Sequence, residues 1–122
     1  MADLSYSVAA LISKGSLSQS FNASNITADI STAGMLAVTL NLGTSVTQVT
    51  TATMGTLGLC FARSLATTTT HTVSFGRYSG GTLYESIRLR AGEAAMLRLA
   101  PGDYAAKSAV EGSRLLINII ED

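Results

Sequence analysis

The sequence predicts an all-β fold, namely an antiparallel β-sandwich or jelly-roll-like barrel of about eight to ten short strands. Apolar residues recur at every second position along most of the chain, which is the period of a strand with one buried face. Turn-forming residues interrupt this alternation at intervals of about 8 to 12 residues. No segment keeps the helical period of 3.6 over two or more turns with capping residues.

The first half of the chain contains five segments that alternate in this way. They cover residues 4–13, 17–21, 26–31, 35–42 and, more weakly, 46–51. In the first segment every second residue from Leu4 to Ile12 is apolar, so one face of the predicted strand is apolar throughout. Lys14-Gly15-Ser16 and the stretch from Asn22 to Asn25 are predicted turns.

The second half contains six further predicted strands. They cover residues 57–62, 72–75, 83–90, 94–99, 104–110 and 114–120. Residues 64–70 are predicted to form a loop, with an exposed edge strand at 67–70 as the alternative. The glycine-rich stretch 76–81 is predicted to be a hairpin turn, because it lacks the lysine and the strand-to-helix context of a phosphate-binding loop. Residues 92–99 have good helix propensity, but the alternation of Leu97 and Leu99 with Arg98 favours a strand.

Two segments carry a specific expectation about their surroundings. The last strand is apolar on both faces, with only Asn118 polar after Arg114, so we expect both of its faces to be covered. In the alternating pattern of its strand, Glu85 occupies the same set of positions as the apolar residues Leu83, Ile87 and Leu89. We therefore expect either that this strand end lies outside the core or that Glu85 pairs with an arginine such as Arg63 or Arg77.

The length of 122 residues predicts a single domain spanning 1–122. Residues 1–62 contain only three charged side chains, whereas residues 63–122 contain the other 13. This break suggests two domains, but the strand pattern runs through both halves, and each half alone is small for an independent core.

The chain offers little for catalysis, metal binding or cofactor binding. It has one cysteine, one histidine and no tryptophan, which excludes an internal disulfide and a Cys/His zinc site. Every histidine-dependent mechanism rests on His71, which we expect to be an exposed edge residue, and no serine lies in a Gly-x-Ser-x-Gly motif. Cys60 lies between Leu59 and Phe61 and is expected to be a buried apolar side chain. We therefore expect no enzymatic activity, no metal and no cofactor.

Several arginines and tyrosines of the second half are the candidate interface residues. They are Arg77, Tyr78, Tyr84, Arg88, Arg90 and Arg98. Eight basic residues are balanced by eight acidic ones, so a nucleic-acid partner or an anionic membrane is not expected. A carboxylate of a partner protein in an assembly is the more suitable ligand for these arginines.

The surface predicted for this chain is unusual for a soluble monomer. Charged residues make up 13% of the chain, about half of the roughly 25% typical of soluble domains. The first half presents Ser, Thr, Ala and scattered Leu, with almost no charge to discourage edge pairing. We therefore expect other subunits to cover much of this surface.

The C-terminal part of the chain resembles a known class of proteins. Residues 86–102, Ser-Ile-Arg-Leu-Arg-Ala-Gly-Glu-Ala-Ala-Met-Leu-Arg-Leu-Ala-Pro-Gly, and residues 114–122, Arg-Leu-Leu-Ile-Asn-Ile-Ile-Glu-Asp, resemble the closing strands of small β-sandwich virion proteins of tailed bacteriophages. The resemblance implies a capsid decoration protein, a head-fibre base or a tail component without catalytic residues. No segment is recognisable in the sequence as a capsid-docking arm.

Two functions follow as expectations. The first is a structural virion subunit that forms a homo-oligomer, with a trimer as one form, and binds other virion proteins. The second is a carbohydrate- or receptor-binding β-domain that uses loops with Tyr78, Tyr84 and Tyr104. The acidic N-terminal start and the short apolar run from Val8 to Ile12 do not form a signal peptide, so we expect assembly in the host cytoplasm.

Overall fold

A computed structural model describes residues 3–30, 34–51 and 54–121. Within these ranges the chain forms ten strands, all paired antiparallel, and no helix. The strands are β1 Leu4–Lys14, β2 Leu17–Ala28, β3 Met35–Leu42, β4 Thr47–Val49, β5 Leu57–Ser64, β6 Val73–Ser79, β7 Thr82–Leu89, β8 Ala94–Arg98, β9 Tyr104–Ser108 and β10 Ser113–Glu121. The predicted all-β class is confirmed.

The chain divides into two compact units, residues 1–31 and 32–122. The first unit is the β1–β2 hairpin, and the second unit contains the other eight strands. The break in charge density at residue 62 is not a boundary, because β5 runs across it. A single domain over residues 1–122 stays a prediction.

The second unit has two four-stranded sheets. Their strand orders are β3-β10-β5-β8 and β4-β9-β6-β7. Numbered from one to eight within this unit, the orders become 1-8-3-6 and 2-7-4-5, which is the arrangement of a jelly roll. Among the described strands of this unit, β6 and β7 are the one pair that is consecutive in the chain and also adjacent in a sheet. Each of the other connections between these strands crosses from one sheet to the other.

The core of the second unit is built from the facing sides of the two sheets. Its buried members are Leu42, Val49, Cys60, Ala62, Val73, Phe75, Leu89, Leu99, Tyr104, Ala106, Leu115, Ile117 and Ile119. The strand register aligns inward-facing side chains of neighbouring strands in the core. Ile117 of β10, for example, lies opposite Val38 of β3 and Ala62 of β5. The alternation predicted from the sequence therefore places one side of each of these strands in the core.

β10 lies between β3 and β5, and its inward side chains are completely buried. On its other face Leu116, Asn118 and Ile120 are half-buried. The expectation that both faces are covered is thus confirmed for the inner face only. The outer face is partly covered, and its remaining exposed apolar surface belongs to the candidate site described below.

A β-bulge changes the side of the sheet to which Glu85 belongs. Phe75 pairs with Ile87, but the next residue, Gly76, pairs with Glu85, so Ser86 is an extra residue in β7. Because the bulge reverses the alternation, the expectation that Glu85 shares the side of Ile87 is wrong. Glu85 is exposed, which confirms the first alternative, that this strand end lies outside the core. It pairs with Arg88 of its own strand rather than with Arg63 or Arg77.

A second bulge corrects the predicted turn at residues 22–25. Tyr6 pairs with Ile26 and Val8 with Ala23, so the strand continues through the stretch that was expected to turn. The extra residue of β2 is accommodated at Asn25, whose φ is 56°. This is a left-handed conformation that asparagine tolerates better than most residues. The two short strands expected at 17–21 and 26–31 are therefore one strand, β2. The predicted end at Ser31 falls outside the described residues.

The remaining differences from the predicted strands are changes of length. β6 extends to Ser79, so the glycine-rich turn shrinks to Gly80 and Gly81, which both have positive φ as a two-residue hairpin turn requires. Residues 65–72 contain no strand, which confirms the loop, and residues 94–98 form a strand rather than a helix. β4 and β9 are shorter than predicted.

Candidate interaction surfaces

One side of the β1–β2 hairpin is mainly apolar, and we call its exposed apolar residues the hairpin face. Its members are Val8, Ala10, Ile12, Leu17, Phe21 and Ala23. The register brings them to one side, since Val8 lies opposite Ala23 and Ala10 lies opposite Phe21. All six are exposed. The polar residues Gln19 and Lys14 occupy the same side near the turn, opposite Ile12 and Leu17 respectively.

The reverse face of the hairpin is polar or small. It consists of Ala9, Leu11, Ser13, Ser18, Ser20 and Asn22, in which Leu11 is the one large apolar residue. Leu11 is 79% exposed and Phe21, on the hairpin face, is 58% exposed. The ribbon is thus amphipathic, and from Val8 to Ala23 both of its sides are exposed, whereas Tyr6 and Ile26 at its other end are half-buried. A two-stranded ribbon without a third element is at best marginally stable in water.

A second exposed apolar surface lies on the outside of the sheet β3-β10-β5-β8, and we call it the outer face. Its large members are Met35, Phe61, Met96, Leu116 and Ile120. Phe61 lies opposite Asn118 on one side and Met96 on the other, in the middle of the sheet. Met35 is 66% exposed and Met96 is 37% exposed. Single exposed apolar residues are common on proteins, but a contiguous group of them indicates a contact surface.

Three arginines lie on the strands of the outer face and share its side. Arg63 is opposite Leu116 and Ala94, Arg114 is opposite Asn41, and Arg98 is opposite Leu59. All three arginines are exposed. The outer face therefore combines an apolar centre with exposed arginines at its periphery.

The six candidate interface residues do not form one cluster. Arg77 lies opposite Tyr84 in the β6–β7 hairpin, and Tyr78 lies opposite Leu83 in the same hairpin. Arg88 lies further along β7, opposite Ser74. Arg90 follows β7 in the next turn, and Arg98 ends β8 in the other sheet. Their role as one interface stays a prediction.

Arg77 lies at one end of the core. Its guanidinium is 5.9 Å from the centre of the Tyr104 ring, and that ring stacks on Phe75 with 5.6 Å between the ring centres. Arg77 and Arg98 both line an apolar cavity of about 180 Å³ that includes Leu97. This volume is below the roughly 300 Å³ at which small-molecule sites begin.

Arg88 forms an ion pair within its own strand. Its Nε and Nη2 atoms donate hydrogen bonds to the two carboxylate oxygens of Glu85, at 2.7 and 3.2 Å. These bonds lower the pKa of Glu85 and raise the pKa of Arg88. Because the Arg88 side chain is largely in solvent, the pair contributes little to folding. The charge of Arg88, which we expected to meet a carboxylate of a partner protein, is therefore already paired with Glu85.

The three tyrosines of the carbohydrate-binding alternative are not in loops. Tyr78, Tyr84 and Tyr104 lie within strands β6, β7 and β9, so that part of the expectation is wrong. Tyr104 is buried, and its hydroxyl donates a hydrogen bond of 2.6 Å to the carbonyl oxygen of Ala100. Tyr84 is 58% exposed. Tyr104 therefore offers no ring to a sugar.

Cys60 and His71, the one cysteine and the one histidine of the chain, both lie in enclosed surroundings. Cys60 is fully buried, as expected, and burial raises the pKa of its thiol to about 11, so the reactive thiolate is disfavoured. His71 is half-buried rather than exposed, because its loop packs beside the start of β10, where its Nδ1 is 3.5 Å from Ser113 Oγ. Ser113 is only 1% exposed, so a substrate carbonyl has no access to that hydroxyl.

Two acidic side chains, Glu111 and Glu121, hold loops in place. Glu111 accepts a hydrogen bond from the backbone N–H of Thr44, and Glu121 accepts one from that of Gly55. Within the described ranges, no group of three or more His, Cys, Asp or Glu side chains is arranged to hold a metal ion. The same part of the chain contains no helix long and apolar enough to cross a membrane.

Part of this site was visible in the sequence and part was not. The alternation from Leu4 to Ile12 indicated one apolar face, but it did not show that the part of this face from Val8 to Ile12 is left exposed. The outer face has a weaker signal in the sequence. In the last strand, apolar residues such as Leu116 and Ile120 alternate with the apolar residues that are buried. Comparisons of this chain with protein-family models, with curated proteins and with solved structures find no match.

Proposed function

We propose that this chain is a non-enzymatic structural subunit of a phage virion, a capsid decoration or similar assembly protein that forms a homo-oligomer through β interfaces. The single observation that supports it best is the hairpin face, a row of exposed apolar side chains on a two-stranded ribbon. Such a ribbon gains stability when its apolar face is buried against another element. The outer face adds a second surface, which suits an acidic neighbour in the virion.

Jelly rolls occur in viral capsid proteins and in lectins alike, so the surface rather than the fold favours the structural role. The resemblance of the C-terminal strands to virion proteins of tailed phages points in the same direction. The carbohydrate-binding alternative depends on exposed aromatic rings, and Tyr104 is buried.

The oligomeric state and the ligand together test the proposal. We expect sedimentation velocity over a dilution series to give the mass of an oligomer, and a glycan array to show no binding. A monomer at every concentration contradicts the proposal, and a monomer that binds a glycan favours the alternative. Electron cryomicroscopy of the virion that carries the chain then tests its location, where we expect density for the jelly roll on the capsid shell.

A further inference from the structure

We propose that the hairpin face packs against the hairpin face of a second copy of this chain. The inference rests on the proposed function and specifies its principal contact. It assigns the partner as well as the surface, since the hairpin face and the outer face differ in what they can bind. The hairpin face consists of Val8, Ala10, Ile12, Leu17, Phe21 and Ala23.

Charge decides which of the two surfaces suits a second copy. In a two-fold interface the same patch is contributed by both copies, so a patch whose charges all have one sign meets only charges of that sign. Two copies that met through the outer face would bring the positive charges of Arg63 and Arg114 on both surfaces together. The hairpin face is uncharged from Val8 to Ile12 on one strand and from Leu17 to Ala23 on the other. Lys14 lies on the same side but at the turn, where a long side chain reaches solvent.

The area of the hairpin face is sufficient for a specific contact. The side chains of Val8, Ile12, Leu17 and Phe21 are 42–58% exposed. For side chains of this size, this corresponds to about 400 Å² of apolar surface on each copy. Two such faces, together with the two alanines of each and the flanking backbone, approach the roughly 1,000 Å² that a specific interface buries.

The geometry of the ribbon also fits a face-to-face contact. Two sheets that pack by their faces lie about 10 Å apart, with side chains interdigitating between them. Phe21 lies opposite Ala10 within its own ribbon, so a large side chain stands beside a small one. A second ribbon that is turned by the two-fold axis can place its own large side chains over these alanines.

The test compares aspartate substitutions on the two faces of the ribbon in the full chain. Phe21→Asp and Ala10→Asp place a carboxylate on the hairpin face, and Leu11→Asp and Ala9→Asp place one on the reverse face. The alanines are adjacent and chemically identical, and both large residues are exposed, so the pairs differ mainly in the face they alter. Sedimentation velocity at equal protein concentration measures association. Thermal unfolding of each variant checks that the jelly roll is intact.

We expect the two hairpin-face variants to raise the dissociation constant about 100-fold or more, because association would bury an unpaired carboxylate. We expect the two reverse-face variants to associate like the wild type. If the wild type is oligomeric and all four variants remain oligomeric, the hairpin face is not the contact. The proposed homo-oligomer would then form through a different interface. If the wild type is a monomer at every concentration, the inference fails together with the oligomer.

Discussion

Replacement of Ile117 by alanine is expected to lower the free energy of unfolding by about 3–4 kcal/mol. Ile117 is completely buried in the central strand of its sheet, between Val38 and Ala62. The substitution removes three carbon atoms from a site where both neighbouring strands are fixed by hydrogen bonds, so the cavity cannot close easily. Chemical denaturation at one fixed protein concentration measures the loss, since an oligomer's stability depends on concentration.

Leu116→Ala is the matched control for this substitution. Leu116 is the preceding residue on the same strand, but it lies on the outer face and is half-buried. We expect a loss of about 1 kcal/mol there, because less apolar surface returns to water. Equal losses at the two positions would show that the jelly-roll core is not where the structure places it.

Replacement of Gly76 by alanine is expected to cost about 2–3 kcal/mol. Gly76 lies in the bulge between β6 and β7, where an added Cβ would collide with the carbonyl oxygen of Tyr84 and lie 2.8 Å from the amide nitrogen of Ser86. Both of these are backbone atoms of the neighbouring strand, so relief requires the strand itself to shift. Chemical denaturation is again the measurement.

Gly112→Ala separates this collision from the general cost of replacing a glycine. Gly112 has φ of 86°, which is unfavourable for alanine, but no atom lies within 4 Å of its added Cβ. We expect a cost of about 1 kcal/mol for the backbone strain alone. If Gly76→Ala proves no more costly than Gly112→Ala, the bulge is not formed as described.

The regular strands were predictable because their signal is local. β3 has the predicted bounds, Met35–Leu42, since Leu36, Val38 and Leu40 alternate with small or polar residues and all pack towards the core. The two bulges were not predictable, because a bulge depends on the φ of one residue, such as Asn25, and on the pairing across the ladder. The incorrect side assigned to Glu85 follows directly from the bulge between β6 and β7.

The candidate surfaces show a similar limit. Alternation identifies the two sides of a strand, but it does not say which strands become neighbours. The pairing of β10 with β3 and β5 joins segments that are far apart in the chain, and this pairing creates the outer face. Arginines that are close in sequence, such as Arg90 and Arg98, are placed in different parts of the fold for the same reason.

The shortage of charge in the first half has a structural counterpart in the hairpin. Between Leu4 and Ala28 only Lys14 is charged, and the exposed side chains there include Val8, Leu11 and Phe21. Natural sheets usually protect exposed edges with charges, prolines or short strands. A ribbon of 11- and 12-residue strands without these features is suited to contact with another protein.

Hydrogen exchange of the hairpin amides in the wild-type protein tests the central claim most directly, because it reports whether this ribbon is covered in solution. If the hairpin face is buried in an oligomer, we expect the amides that pair β1 with β2 to be protected at a level close to that of β10 in the jelly-roll sheet. If these amides exchange as rapidly as an unprotected peptide while β10 stays protected, the ribbon is uncovered, and the account of an assembly built on the hairpin is contradicted.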